Sequence, residues 1–152
     1  MTTSKQVRNV LFLCTGNSAR SILSEAILNR LGDGRFRAFS AGSKPVGRVN
    51  PGALELLGRL SFPTAGLRSK SWDEFASPDA PAMDHIITVC NNAAGETCPV
   101  WPGRPATEHW DIDDPAGVGT TDEERRAAFE KAYAVLGTRI SDFIARHGED
   151  ST

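Results

Sequence analysis

Four apolar residues, Val10-Leu11-Phe12-Leu13, run without a break into Cys14-Thr15-Gly16-Asn17-Ser18-Ala19-Arg20-Ser21, and a helical pattern follows at once. A buried strand that ends in a loop of small residues and continues as a helix is the opening unit of an α/β layer. It also creates a particular kind of cavity. The first amides of the helix lack intrahelical acceptors and sit at the positive end of its dipole, so an anion is favoured where strand, loop and helix meet. Cys14 lies at the base of that loop, and Arg20 closes it after five intervening residues. A guanidinium offers a permanently charged planar fork suited to two oxyanion oxygens. The main-chain N–H groups of Thr15, Gly16, Asn17, Ser18, Ala19 and Arg20 are the candidate oxyanion contacts. Thiolates rather than thiols are the nucleophiles of cysteine chemistry, and this electropositive setting favours a thiolate. The loop reads as a phosphate-type pocket with a nucleophile built in. A lone cysteine is more often a small core residue, but here strand, loop and helix all fall where the pocket needs them.

The rest of the chain alternates in the same way, as a parallel sheet covered by helices requires. Residues 8–14 read as a strand and Ser21 to Leu31 as a helix stopped by Gly32. Phe36 to Ala41 reads as a second strand closed by Gly42. Asn50-Pro51 supplies a cap and a proline at the first helical position, for a helix to about Leu60. Ser71 to Phe75 suggests a short helical turn, and His85 to Val89 a third strand. Prolines at 99, 102 and 105 break up positions 91–106, and a fourth strand is expected near Thr107 to Trp110. Thr121-Asp122-Glu123-Glu124 has the form of a capping box, opening a helix to about Arg146. No repeat or linker divides the 152 residues, so the expectation is a single α/β domain over 1–152.

Composition narrows the function. The 17 basic and 19 acidic residues give a net charge of −2, which argues against a nucleic-acid binder that works by phosphate neutralisation. No apolar stretch approaches the roughly 20 residues of a membrane span. The N-terminus leads into the first strand without a signal-peptide pattern. The three cysteines are too few and too odd in number for a secreted disulfide framework. The expected setting is a reducing cytoplasm, and the expected state a monomer.

Ligands of open α/β sheets bind at the carboxyl ends of the strands. The third strand runs out at Cys90, and Asp113-Asp114-Pro115 follows the fourth, so both segments should share a rim with the Cys14 loop. A covalent mechanism on the cysteine needs an acid to protonate the departing oxygen. Asp114, held extended before a proline, is the candidate; an Asp-Pro pair in a solvated turn is the plainer reading. Cys90 and Cys98 admit zinc ligation, two unrelated buried thiols, or a redox pair. Zinc ligand pairs usually lie about two to four residues apart, and a thiolate nearby favours exchange chemistry. A helical 90–98 segment would place the two Cα atoms about 12 Å apart. A disulfide needs about 4.4–6.8 Å, so a redox pair requires this segment to be looped or to refold. No metal site is assigned.

The Cys14–Ser21 octapeptide resembles that of arsenate reductases built on the low-molecular-weight protein tyrosine phosphatase fold. So do the run Val89-Cys90-Asn91-Asn92-Ala93, Cys98-Pro99, and Glu108-His109-Trp110 through Asp113-Asp114-Pro115-Ala116-Gly117. The similarity keeps the same order from about residue 8 to residue 145. It implies a four-stranded parallel sheet with helices on both faces and a phosphate-binding loop after the first strand. It implies attack of Cys14 on arsenic, with Arg20 holding the oxygens, Asp114 as proton donor, Asn17 bracing the loop and Ser21 hydrogen-bonding the thiolate. It also implies that Cys90 releases arsenite from the Cys14 adduct and that Cys98 then closes a disulfide with Cys90, for arsenic detoxification. No bound cofactor is implied, only an external thiol reductant: thioredoxin first, with glutaredoxin or mycothiol as alternatives. The chain departs from the pattern in having Ala19 where many such reductases have a cysteine, and one extra residue between Cys90 and Cys98. Some members hold potassium beside the loop; Asn17, Glu25 and Ser40 match, but Ser71 or Trp72 falls near the acidic position.

Two rival readings remain. A protein tyrosine phosphatase would use the same Cys14, Arg20 and Asp114, but aryl substrates need walls that bury a ring. Ser43-Lys44-Pro45-Val46-Gly47-Arg48 and Asp114-Pro115-Ala116 supply no aromatic residue at either expected place. A non-catalytic oxyanion- or metal-binding domain is the second rival.

Overall fold

The computed structural model describes residues 7–91, 106–116 and 119–147. Four strands, β1 (Arg8–Cys14), β2 (Phe36–Gly42), β3 (His85–Thr88) and β4 (Ala106–His109), form one parallel sheet in the order β2-β1-β3-β4. β1 is central and covered on both faces, which is why it reads as an unbroken apolar run rather than an alternating one. Val10, Phe12 and Cys14 face one layer, and Leu11 and Leu13 the other. Each fully buried side chain of this kind contributes about 1.5–3 kcal/mol relative to exposure.

Helices α1 (Arg20–Leu31), α2 (Pro51–Arg59) and α3 (Asp122–His147) gather on the Val10 and Phe12 face. The opposite face carries a one-turn 3-10 helix, Trp72–Phe75, whose Trp72 and Phe75 pack with Phe39 and Met83 over Leu11, Leu13 and Ile86. Helical cover is therefore present on both faces, but among the described residues it is unequal. The close approach of α2 to α3 needs a glycine, since a Cβ on Gly52 would lie 2.6 Å from the Phe129 ring.

The local signals explain the ends of the elements. Asn50 Oδ1 accepts the Gly52 amide at 2.8 Å, with Pro51 at the first helical position. The capping box of α3 is reciprocal: Thr121 Oγ1 accepts the Glu124 amide at 3.1 Å, and Glu124 Oε1 accepts the Thr121 amide at 3.2 Å. Gly32 ends α1, its amide donating to the Leu28 carbonyl at 2.7 Å. Strands β3 and β4 differ from the sequence expectation by a residue or so at an end. The ladder nevertheless continues, because the Val89 and Trp110 amides still donate to Leu13 and Thr88.

Register decides where the chemistry sits. Cys14 pairs with Gly42, Leu13 with Thr88, and Thr88 with His109, so all four strands end on one rim.

Candidate active site

The Cys14 loop is held from outside by its carbonyls. Thr15, Gly16 and Ser18 accept the amides of Lys44, Val46 and Asn50 at 2.9–3.0 Å, and Ser69 Oγ also donates to Gly16 at 3.2 Å. In a trans peptide the N–H points opposite to its own carbonyl, so anchoring these carbonyls outward turns the next amides inward. The Gly16–Asn17 peptide demonstrates it, with the Asn17 amide donating to Cys14 Sγ at 3.2 Å. Asn17 adopts a left-handed backbone, φ 46°, a conformation that asparagine tolerates better than most residues. At the end of the loop Ala19 precedes α1 with no side-chain cap.

The sulfur is held on a second side by Ser21 Oγ at 2.9 Å. Asn17 Nδ2 donates to the same hydroxyl oxygen at 2.8 Å, and Asn17 Oδ1 accepts the Lys70 amide at 2.8 Å. A main-chain N–H can only donate, so it fixes which end of the Asn17 amide faces Ser21. With its oxygen accepting from Asn17, Ser21 can direct its proton to a thiolate. Cys14 is a free thiol, 3% exposed.

Arg20, the first residue of α1, is 5% exposed. Its Nη1 donates to the Ile112 carbonyl at 3.0 Å, and Nη2 lies 3.8 Å from Asp114 Oδ2. The two aspartates are distinct in role. Asp113 Oδ1 accepts from Asn91 Nδ2, which ties the loop to the end of the β3 segment. Asp114 faces Arg20, and its side chain is 51% exposed. Cys90 is fully buried, its carbonyl accepts the Ile112 amide at 3.3 Å, and it is disulfide-bonded. Cys14, Arg20, Asp114 and Cys90 are therefore linked through two short backbone segments on one rim, as the sequence predicts. Cys98, the second member of the expected redox pair, lies outside the described residues.

Two residues of the site escape the sequence reading. Gly42 reads only as the end of a strand, yet a Cβ there would lie 2.4 Å from the Thr15 carbonyl oxygen and 3.1 Å from Asn17. The pairing of Cys14 with Gly42 is the signal that would find it, and it requires the register. Lys70 has no motif at all. Its ammonium donates to the Ser40 and Arg68 carbonyls, each at 2.9 Å, and lies 3.9 Å from Glu25 Oε1, which also accepts from Ser40 Oγ at 2.6 Å. Glu25 and Ser40, two residues matched to a cation site in the sequence, thus surround a cation of the protein itself. Burial pulls Lys70 below the usual lysine range and pushes Glu25 above the usual carboxylate range.

The site thus sets a cysteine at the base of a loop of inward amides, with a buried arginine after it and an aspartate facing that arginine. The family model described as low molecular weight phosphotyrosine protein phosphatase matches residues 9–151. The chain belongs to that family. Within it, the chain is 34% identical over 135 residues to the arsenate reductase of Bacillus subtilis (strain 168), covering 88% of this chain and 93% of that protein. Among solved structures it is similar to the arsenate reductase of Archaeoglobus fulgidus DSM 4304, with TM-score 0.74, 29% identity, and 90% and 98% of the two chains covered. The thioredoxin-dependent arsenate reductase of Corynebacterium glutamicum shares the fold, with TM-score 0.68 at 22% identity, over 95% of this chain and 63% of that one.

Proposed function

We propose that this family member is an arsenate reductase, acting in arsenic detoxification through a Cys14 thiolate and a Cys90/Cys98 relay. The observation that carries the reading is the placement of Cys90 on the rim of the Cys14 pocket, joined to it through Ile112 and Arg20. A phosphatase needs the thiolate, the arginine and the acid; it has no use for a second sulfur there. The reductase relatives support the same conclusion.

The inward amides and Arg20 bind the arsenate oxygens, and the Cys14 thiolate attacks arsenic. Asp114 donates a proton to the departing oxygen, which leaves as water. Cys90, first released as a thiol by the external dithiol, then attacks the Cys14 sulfur. The sulfur–arsenic bond breaks, its electron pair stays on arsenic, and arsenite leaves with a Cys14–Cys90 disulfide behind it. Cys98 attacks Cys90 and frees Cys14, and an external dithiol of the thioredoxin type reduces the Cys90–Cys98 disulfide. Glutaredoxin or mycothiol is the alternative donor. The protein acts as a cytoplasmic monomer.

Cys14→Ser should abolish arsenate reduction while the protein stays folded, and substantial turnover would refute the assignment. Cys98→Ser should stop after one turnover with a Cys14–Cys90 disulfide, seen by mass mapping; repeated thioredoxin-driven turnover would exclude the relay. A phosphotyrosine-analogue assay run beside these tests the phosphatase reading, which the shared Cys14, Arg20 and Asp114 favour. Residues 43–48 contain no aromatic side chain to wall an aryl group, so phosphatase turnover should be the weaker activity.

A further inference from the structure

Lys70 is a buried cation that the reaction above leaves unused. Lysine is almost never fully buried without partners, and every polar group of this one is engaged. Its amide donates to Asn17 Oδ1 at 2.8 Å, and its carbonyl accepts the Gly42 amide at 2.9 Å. Its ammonium reaches the Ser40 and Arg68 carbonyls beside Glu25. The main chain of Lys70 thus lies between the nucleophile loop and the end of β2, and its side chain folds back onto β2 to fasten it there. Beyond Asn17 the contacts continue without a gap: Nδ2 to Ser21 Oγ at 2.8 Å, then Ser21 Oγ to Cys14 Sγ at 2.9 Å.

We propose that Lys70 is a positioning residue for the nucleophile: its ammonium, clasped by Ser40, Arg68 and Glu25, holds the backbone N–H that orients Asn17 and, through Ser21, the Cys14 sulfur. The inference rests on Cys14 being the nucleophile, and it is independent of which oxyanion is attacked. Asn17 has two ends, and only a fixed donor on Oδ1 keeps Nδ2 toward Ser21. Without the clasp the 68–70 segment can shift, Asn17 can turn over, and Ser21 can spend its proton elsewhere. Misplacement by about 1 Å costs up to about a hundredfold in rate. Coulomb attraction alone is not the device, because Glu25 neutralises much of the ammonium's field at the pocket.

The test uses the full chain with Lys70→Met and Lys70→Ala. Alkylation of Cys14 by iodoacetamide at neutral pH, followed by mass mapping of its peptide, should slow by on the order of tenfold to a hundredfold in folded Lys70→Met. For arsenate, kcat should fall with KM little changed, since the amides and Arg20 that bind the anion remain. In Lys70→Ala, added methylammonium should enter the emptied clasp and restore alkylation and kcat together, whereas Lys70→Met, whose side chain fills the space, should not respond. Wild-type alkylation and kcat in folded Lys70→Met would overturn the proposal. So would methylammonium that restores the melting temperature of Lys70→Ala but not the reactivity of Cys14, or variants that fold under none of these conditions, because each makes Lys70 a stability residue alone. A wild-type protein that does not reduce arsenate would refute the reductase reading and leave this test standing, since alkylation needs no substrate.

Discussion

At the scale of single residues, the site separates groups that look interchangeable in the sequence. Asp113 and Asp114 are adjacent carboxylates before one proline, yet Asp113 is occupied by Asn91 and Asp114 faces Arg20. The Arg20–Asp114 contact is long and half solvated, worth about 0–1 kcal/mol, so it can open to admit an oxyanion between the two groups. Asp114→Asn should therefore slow the chemical step, measured as single-turnover formation of the Cys14 adduct, much more than Asp113→Asn does. The latter keeps a side-chain oxygen that accepts from Asn91, so the loop should stay tied to β3 and stability should change little. Equal kinetic losses would show that the proton comes from elsewhere. In the proposed mechanism, where Cys14 reacts as the thiolate, Ser21→Ala removes a hydrogen bond to a charged group, worth about 1.5–3 kcal/mol, or roughly ten- to a hundredfold in the rate of Cys14 alkylation. An unchanged rate would mean that the Asn17 amide alone holds the thiolate.

At the scale of elements, Gly42 shows how a strand end shapes a loop it does not belong to. A methyl group there meets the Thr15 carbonyl and the Asn17 backbone, neither of which can rotate aside as a side chain could. Gly42→Ala should destabilise the fold by about 1–3 kcal/mol, as overpacking does, and should also cost anion affinity, because Thr15 and Asn17 must move outward. Denaturant titration together with sulfate binding checks both; a loss of stability with unchanged sulfate affinity would mean the strain is absorbed away from the loop. The strand–loop–helix unit, the α2 and α3 caps, Cys14, Arg20 and the Asp-Pro loop were all legible in the sequence. Each is encoded by neighbours within a few positions: an apolar run, a proline after asparagine, a glutamate three residues past a threonine. Gly42 and Lys70 were not legible. Apart from the Arg68 carbonyl, their partners lie 25 or more positions away, and what makes them matter is β-sheet register, which no local pattern reports. The distribution of helices was half legible for a related reason: alternation predicts cover on both faces but not that α2 joins α1 and α3 on one of them.

At the scale of the whole molecule, the rim opposite the active site carries a titratable knot that ties the end of α3 to the sheet. The His85 ring on β3 and the His147 ring at the end of α3 lie 4.7 Å apart, both against Phe143, with Arg8 Nη1 3.3 Å from His85 Nε2. Arg146 also bonds Glu108, leaving His147 Nε2 at 4.0 Å from that carboxylate and without a hydrogen-bond partner among the described residues. Burial holds both imidazoles below the usual histidine value. Repulsion from His147 and Arg8 adds to this for His85, against the weaker pull of Asp84 and Glu108, and repulsion from Arg146 and Arg8 adds to it for His147, against the weaker pull of Glu108. The sign follows from linkage. A histidine whose folded value is depressed binds fewer protons folded than unfolded, so its contribution is complete above the unfolded value of about 6.5. Stability should fall as pH drops from there, and the loss should level off once pH is below the folded values. Replacing one ring removes one titration and relieves the other, so urea unfolding of His147→Leu should show a shallower decline from neutral to mildly acidic pH than the wild type. Parallel curves would show that acid weakens the protein elsewhere, with the paired carboxylates the next place to look. Because the knot sits at the far ends of the strands from Cys14, the same substitution should leave the alkylation rate of Cys14 at neutral pH unchanged, which separates a loss of anchoring from a loss of chemistry.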